Sequence, residues 1–302
     1  MNAYLSPANA GFTLSLAGAS ILSTDLLVCA SPSYIAEARP MLLKDKVVIV
    51  SGIGPGLGIE LALLAAQEGA KVAICARTAA KLDDAEAQIA ALGLGTEVLK
   101  VPTDIADRAQ CKALVAQTIE RFGRIDSLIN SAYTGGSFEP IETANLDDWR
   151  ATMDINFFGT IQLTQEVIPQ MKAQGGGSVV MINTMVTRVP LPWQGGYGAS
   201  KGALKVATSH LAKELGGYGI RVNSAFMGWM WGPPVEGYLK GAAKQQGTTV
   251  EALRKEIGKN IALGDIPDDA DCARVAIFLA SDYSRAMSGA VVDVNGGEYF
   301  PV

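Results

Sequence analysis

The stretch "KVVIVSGIGPGLGIE", residues 46–60, joins a short apolar run to a turn with glycine at positions 52, 54, 56 and 58. The valines and isoleucine of the run favour a buried strand, and the pattern after the turn favours a helix that begins at Leu57. Glycine permits positive φ and close backbone approach, while the start of a helix offers unpaired N–H groups and a positive dipole end to a phosphate. The stretch therefore predicts a dinucleotide-binding unit. A nucleoside triphosphate loop would need a lysine directly after its last glycine, and none follows here.

Beyond this turn, apolar runs alternate with amphipathic segments along the chain. The predicted strands are residues 46–51, 71–76, 97–101, 125–130, 178–183, 220–226 and 290–294. The predicted helices are residues 57–68, 79–91, 107–122, 147–173, 197–216 and 268–281. Nearly continuous apolar strands alternating with helices indicate a parallel sheet covered on both faces. We therefore predict an α/β fold, a doubly wound, Rossmann-like parallel sheet of about seven strands in a single domain.

Two segments depart from this alternation. Residues 1–40 lack a basic n-region and carry Asp25 within their apolar part, so we interpret them as a poorly ordered N-terminal extension rather than a signal peptide or membrane span. Residues 233–260 contain helical patterns of their own. We expect a catalytic domain over residues 41–302, with a substrate lid around residues 227–260.

The net charge and the rare residue types exclude several classes of protein. A net charge of −5 and a pI of about 5.1 provide no basic footprint for nucleic acid. The four cysteines are far apart in the sequence and there is one histidine, which argues against a disulfide framework and a metal site. This cysteine usage is typical of a reducing compartment. We expect a cytoplasmic protein that binds neither nucleic acid nor membrane.

The stretch "GYGASKG", residues 196–202, supports two incompatible interpretations. Ser200 fits the G-x-S-x-G pattern of serine hydrolases, but His210, ten residues further along the same predicted helix, cannot fold back to serve as its base. Tyr197 and Lys201 are four residues apart and share one helix face. An ammonium about 4–5 Å from a phenol favours the phenolate by roughly 3–4 kcal/mol at an effective dielectric of about 20, so we expect a lowered pKa for Tyr197. Tyr197 is therefore the better candidate for acid–base catalysis.

Six motifs occur in register along the chain. They are Ser51-Gly52-x-x-x-Gly56-x-Gly58, Asp104-Ile105, Asn130-Ser131-Ala132, Asn156, Thr184 and Tyr197-x-x-x-Lys201. Together they resemble the short-chain dehydrogenase/reductase family over residues 43–297. The resemblance implies that Tyr197 exchanges a proton with the substrate oxygen, and that Lys201 lowers the pKa of Tyr197 and binds the nicotinamide ribose. It also implies that Thr184 holds the substrate oxygen and that Asn156 anchors a proton-relay water.

The resemblance also implies a nicotinamide cofactor. Asp104 would bond the adenine amino group, and Asn130 would brace the central strand beneath the cofactor. The expected cofactor-binding residues are Ser51, Gly52, Gly56, Leu57, Gly58, Arg77, Asp104, Ile105, Asn130, Tyr197, Lys201 and Met230.

The end of the second predicted strand indicates which cofactor is preferred. An acidic residue there would bond the ribose 2′-hydroxyl of NAD, and this chain has Ala76 instead. Arg77 follows, and its guanidinium can bind a 2′-phosphate through two hydrogen bonds. Pro55 stands where many NADP-dependent relatives carry a second basic residue, and we expect Lys81 to lie too far along the chain to replace it. We predict that NADP(H) is favoured over NAD(H).

Several positions differ from the family pattern. Thr184 replaces the usual serine, Tyr133 replaces a glycine near the cofactor, Met227-Gly228 replaces a Pro-Gly pair, and Gly232 stands where a threonine is common. The acid–base residues are unaffected, so these differences concern the shape of the nicotinamide pocket.

The function that we predict is hydride transfer between a nicotinamide cofactor and a secondary alcohol or ketone. Loops expected near the site are rich in methionine and aromatic residues, which suits a bulky hydrophobic, hydroxysteroid-like substrate, although packing or a subunit interface would also use them. The loop residues are Met185, Val186, Val189, Leu191, Trp193, Phe226, Met227, Trp229, Met230, Trp231 and Tyr238. The alternatives are a 3-oxoacyl-thioester reductase and a non-catalytic dinucleotide-binding sensor. The small residues of the Tyr197 helix and the family resemblance lead us to expect a homotetramer or homodimer.

Overall fold

The computed structural model describes residues 40–300. The extension predicted for residues 1–40 therefore lies outside the described residues except for Pro40. None of the helices between residues 40 and 300 combines the length and the hydropathy that a membrane-spanning helix needs.

A seven-stranded, fully parallel sheet has the strand order β3-β2-β1-β4-β5-β6-β7. The strands are β1 (Val47–Ser51), β2 (Lys71–Ala76), β3 (Val98–Pro102), β4 (Ser127–Asn130), β5 (Gly177–Thr184), β6 (Ile220–Met227) and β7 (Val291–Val294). The chain builds outward from β1 to β3 and then returns to place β4 on the other side of β1. This reversal creates a crevice at the carboxyl ends of β1 and β4, where open α/β sheets bind ligands. The predicted doubly wound, Rossmann-like sheet is confirmed.

Helices cover both faces of the sheet. They are α1 (Leu57–Gln67), α2 (Ala79–Ala91), α3 (Arg108–Phe122), α4 (Leu146–Met153), α5 (Thr160–Ala173), α6 (Gly195–Leu215), α7 (Pro233–Gln246), α8 (Val250–Gly258) and α9 (Asp269–Ala280). The continuous helix predicted over residues 147–173 is wrong in one respect, because a π-helical turn at Asp154–Gly159 separates α4 from α5. Gly159 ends that turn where a Cβ would lie 2.9 Å from the Ile105 carbonyl oxygen, so the wide turn brings two backbones into close contact.

The sheet separates two hydrophobic cores, and β1 contributes to both. Val48 and Val50 pack with α1, α2 and α9 on one face, whereas Ile49 packs with α3, α5 and α6 on the other. Successive strand residues point to opposite faces, so a strand covered on both sides needs apolar residues at every position. Each fully buried aliphatic side chain contributes roughly 1.5–3 kcal/mol to stability. These cores hold the carboxyl ends of the strands, and the loops that follow them, in fixed positions.

Candidate active site

A cleft with a volume of about 560 Å³ lies at the carboxyl ends of the strands. Its walls are the β1–α1 turn, the ends of β2 and β3, the segment after β4, the end of β5, the first turn of α6 and the segment after β6. Most of the residues predicted as a site therefore meet in one cavity. Those that line it are Gly52, Gly56, Leu57, Gly58, Arg77, Asp104, Ile105, Thr184, Tyr197, Lys201 and Met230.

The glycine turn leaves no room for a side chain at Gly52 or Gly58. Gly52 and Gly56 have φ values of 90° and 88°, in the region that favours glycine. A Cβ at Gly52 would collide with the backbone of Ala132, and a Cβ at Gly58 would collide with the Gly52 carbonyl oxygen. Gly56 caps α1 without a side-chain hydrogen bond. The first N–H groups of α1 therefore face the cleft together with the positive end of the helix dipole, an arrangement that fits the phosphates of a dinucleotide.

Two basic side chains line the cleft beyond the end of β2. Arg77 follows Ala76, which ends the strand without a carboxylate. Lys81 also lines the cleft, and its Nζ lies 3.8 Å from the position that a Cβ on Gly54 would occupy. The expectation that Lys81 lies too far along the chain was wrong, because the first turn of α2 folds back against the glycine turn.

Tyr197, Thr184 and Lys201 meet at the inner end of the cleft. The first turn of α6 carries Tyr197, and the end of β5 carries Thr184, whose hydroxyl lies beside the phenol. Lys201, one turn further along α6, is buried and donates from Nζ to the Ile182 carbonyl oxygen at 2.8 Å. The Asn183 amide donates to the Lys201 carbonyl oxygen at 3.2 Å and holds the helix against the strand.

The pKa of Tyr197 is shifted opposite to the direction predicted. Burial raises the pKa of the Tyr197 phenol above its ordinary value of 10, the hydrogen bond from Thr184 lowers it in part, and the nearby Tyr133 raises it. Burial also lowers the pKa of Lys201 from its ordinary 10.5 to about 8. Removing the phenolate from water disfavours it more strongly than the Thr184 hydroxyl favours it. Burial therefore favours the protonated tyrosine, a proton donor, and brings the pKa of the lysine to about 8.

Asn156 was predicted to anchor a water. Its side chain is buried behind the cleft, where its hydrogen bonds join two segments of the chain. Its Oδ1 accepts from the Thr134 N–H at 2.8 Å, and its Nδ2 donates to the Thr134 carbonyl oxygen at 2.9 Å and to Ser200 Oγ at 3.0 Å. Ser200 Oγ in turn donates to the Tyr197 carbonyl oxygen at 2.7 Å. The π-helical turn that carries Asn156 thus links the segment after β4 to α6. Ser200, which the serine-hydrolase pattern had singled out, is thus a structural residue that connects Asn156 to the backbone of α6.

Two other predicted residues lie beneath the cleft rather than along its wall. Ser51 and Asn130 are buried and stand side by side at the ends of the paired strands β1 and β4. The Asn130 amide donates to Thr164 Oγ1 at 3.1 Å, which joins β4 to α5.

Some of the residues expected to bind a hydrophobic substrate line the cleft, and others are buried or pack on other side chains. Met227 and Met230 line the cleft. Phe226 is fully buried, Trp229 packs against Tyr238 with ring centroids 6.0 Å apart, and the Arg254 guanidinium covers Trp231 at 4.1 Å. Part of the aromatic set therefore packs on other side chains, as the alternative interpretation held.

Sequence reasoning missed several residues of this site. Ser200 was given no role beyond its place in the helix, because only the fold brings it to Asn156. Asp269, at the start of α9, lines the cleft, with its Oδ2 3.4 Å from the position of a Cβ on Gly56. Burial raises the pKa of Asp269. No sequence signal marks an acidic side chain so distant in the chain as a neighbour of the glycine turn.

A glycine turn that fits a dinucleotide, next to a half-buried tyrosine, a buried lysine and a buried hydroxyl side chain, defines an oxidoreductase that acts on an alcohol or ketone with a nicotinamide cofactor. The family profile described as short chain dehydrogenase matches residues 46–235. This chain belongs to the short-chain dehydrogenase/reductase family.

Individual relatives match across nearly their whole length. The chain is 32% identical to levodione reductase of Leifsonia aquatica over 254 residues, which are 84% of this chain and 94% of that protein. It is 33% identical to a 3-oxoacyl-acyl-carrier-protein reductase of Thermotoga maritima, covering 85% of this chain and 99% of the relative. The crystal structure of L-sorbose reductase from Gluconobacter frateurii, complexed with NADPH and L-sorbose, superposes with a TM-score of 0.82 at 26% identity, covering 87% of this chain and all of that chain.

Proposed function

We propose that this protein reduces a bulky, mainly hydrophobic ketone, and oxidises the corresponding secondary alcohol, with NADP(H) as the favoured cofactor. The proposal rests on one observation above all. The Tyr197 phenol and the Thr184 hydroxyl lie next to each other at the inner end of a cleft that also holds the glycine turn. Two hydroxyl groups so placed can hold one carbonyl oxygen and give it a proton.

The acid–base step follows from the two shifted pKa values. Because burial raises the pKa of Tyr197, its phenol is protonated at neutral pH and can donate to the carbonyl oxygen as negative charge develops there. The Thr184 hydroxyl forms a second hydrogen bond to the same carbonyl oxygen. Lys201, whose pKa is lowered to about 8, exchanges a proton near neutral pH and can restore the proton of Tyr197. A bound nicotinamide supplies the hydride to the carbonyl carbon.

The activity is tested by the change in absorbance of the reduced nicotinamide with a panel of ketones, for the wild type and for Tyr197→Phe. We expect turnover of bulky cyclic or aryl ketones, and a loss of at least about 100-fold in the variant. A 3-oxoacyl thioester belongs in the panel because a relative is a 3-oxoacyl-acyl-carrier-protein reductase. Turnover confined to small polar hydroxy acids would refute the proposed substrate class. Equal turnover by wild type and variant would refute the role of Tyr197, and cofactor binding without any turnover would favour a sensor.

The NADP(H) preference is supported by the end of β2 and the start of α2. Ala76 offers no carboxylate to a ribose 2′-hydroxyl, and Arg77 and Lys81 place two cationic groups on the same wall of the cleft. A hydrogen bond to a charged group contributes about 1.5–3 kcal/mol, so loss of the guanidinium should cost about 10- to 100-fold in affinity for a 2′-phosphate.

The corresponding experiment measures kcat/KM with NADPH and NADH for the wild type, the double variant Ala76→Asp/Arg77→Ala, and Arg285→Ala. Arg285, at the amino-terminal edge of the sheet, serves as the control. The double variant should reverse the preference and the control should keep it. A wild type that already prefers NADH would contradict the assignment.

The remaining proposals concern the substrate lid, the oligomeric state and the cellular location. The segment 227–260, with α7 and α8, is proposed as the substrate lid, since Met227, Met230 and Pro234 line the cleft. The exposed apolar side chains Phe158 on the π-helical turn and Val206 on α6 support a homodimer or homotetramer, which light scattering would test. Free, buried thiols among the described residues support a reducing, cytoplasmic location.

A further inference from the structure

Tyr133 is an exposed aromatic residue at the reaction centre. It lies three residues beyond the end of β4, lines the cleft, and has its ring centroid 6.3 Å from that of Tyr197, with the ring planes at 57°. Despite this contact, the residue is 59% exposed. The side chain therefore packs on the catalytic phenol on one side and offers much of its surface to the cleft or solvent. In the family pattern this position is a glycine.

The backbone at Tyr133 is held in place although its ring is exposed. The N–H and the carbonyl of the next residue, Thr134, are both bonded to the Asn156 amide, at 2.8 and 2.9 Å. The same amide is bonded to Ser200 Oγ, which is bonded to the Tyr197 carbonyl oxygen. One buried hydrogen-bond chain thus fixes the segment of Tyr133 relative to the helix of Tyr197. A tyrosine has few rotatable bonds, so a ligand that contacts this ring orders little further motion.

We propose that Tyr133 is a specificity-determining residue that contacts the substrate beside the carbonyl group that Tyr197 protonates. The preferred substrates are ketones whose carbonyl carbon is part of a ring or attached directly to one. A ring presents a broad face to the exposed part of Tyr133, and aromatic contacts of this kind are directional. A flexible linear ketone offers a narrow chain to the same surface and loses conformational freedom on binding. This inference rests on the proposed ketone reductase function and adds the shape of the substrate to it.

The test compares a cyclic ketone with a linear ketone of equal carbon number. Four proteins are measured: the wild type, Tyr133→Phe, Tyr133→Leu and the control Tyr283→Leu. Tyr283 is similarly exposed, at 63%, and lies at the amino-terminal side of β7, away from the residues that line the cleft. The quantities are kcat and KM for each ketone, KM for NADPH, and the midpoint of thermal unfolding.

Tyr133→Leu should reduce the preference for the cyclic over the linear ketone by about 10-fold or more, mainly through a higher KM for the cyclic ketone. Tyr133→Phe should keep the preference, and Tyr283→Leu should resemble the wild type. An unchanged preference in Tyr133→Leu would overturn the inference. Equal losses on both ketones, or a raised KM for NADPH alone, would also overturn it, because Tyr133 would then serve the fold or the cofactor. If the wild type reduces neither ketone, the proposed function fails as well, so the two failures are distinguishable.

Discussion

Lys201 is expected to destabilise the cofactor-free protein, and the substitution Lys201→Met measures by how much. The side chain is 3% exposed, and its ammonium donates to the backbone carbonyl oxygen of Ile182. Desolvation lowers its pKa from 10.5 to about 8. Each pKa unit corresponds to 1.36 kcal/mol, so holding the charged form in the folded protein costs about 3.4 kcal/mol near pH 7. Methionine keeps the length of the apolar stem and loses the charge.

The net gain expected for Lys201→Met is about 2 kcal/mol near pH 7, after about 1–1.5 kcal/mol is subtracted for the lost hydrogen bond. The lowered pKa of Lys201 also determines how the stability difference between the wild type and the variant changes with pH. Below about pH 8 both the folded and the unfolded wild type hold the proton, and the full cost is present. Between about pH 8 and 10.5 the folded wild type releases the proton while the unfolded chain keeps it, so the wild type gains stability relative to the variant. The difference should therefore shrink or reverse by about pH 10.

The assay is equilibrium unfolding in urea at both pH values, without cofactor. Lys205→Met is the matched control, since Lys205 lies one turn further along α6 and is exposed. The control should change stability by less than about 0.5 kcal/mol at either pH. A Lys201→Met variant less stable than the wild type near pH 7, or a stability difference that does not depend on pH, would refute the reasoning.

Three further substitutions test other parts of the site. Thr184→Val should lower kcat by about 100-fold with a small change in KM, because it removes a hydroxyl that shares the developing charge; Thr184→Ser should retain most activity, and an equal loss in both would contradict this role. Gly58→Ala should weaken cofactor binding and lower the unfolding midpoint, because its Cβ would collide with the carbonyl oxygen of the same turn. The control Gly241→Ala, with open space around it, should leave cofactor affinity unchanged in titration calorimetry. Asp269→Asn should tighten cofactor binding several-fold, because it removes a negative charge beside the glycine turn that is expected to face the cofactor phosphates. Since burial raises the pKa of Asp269, wild-type affinity should improve as the pH falls and the carboxylate is protonated, and that trend should be smaller in the variant. Weaker binding by Asp269→Asn would show that the carboxylate supports the turn.

The amino-acid sequence by itself indicated most of the secondary structure and the position of the glycine turn, because their signals are local. The run at residues 71–76 was predicted as a strand and forms β2 with the same bounds. A strand buried on both faces requires apolar residues in succession, and a helix requires an apolar stripe, so both leave a periodic pattern in the chain. The spacing of Tyr197 and Lys201 is local in the same sense, since four residues make about one helical turn. The alternation of strands and helices, with the handedness of their crossovers, predicted a doubly wound parallel sheet, whereas the order of its strands is known only from the structure.

The tertiary structure decided the protonation state of Tyr197 and which residues line the cleft. Spacing along α6 predicted a lowered pKa for Tyr197, but the shift depends on how much water surrounds the phenol, and segments distant in the chain remove that water. Lys81 reaches the glycine turn, and Asn156 joins Ser200 to the segment after β4, only because separate elements fold against one another. The sequence does not distinguish the aromatic and methionine residues that pack in the core from those that face the cleft. Whether each is packed in the core or exposed to a substrate is a property of the whole fold, since burial is the sum of contacts from every neighbouring element.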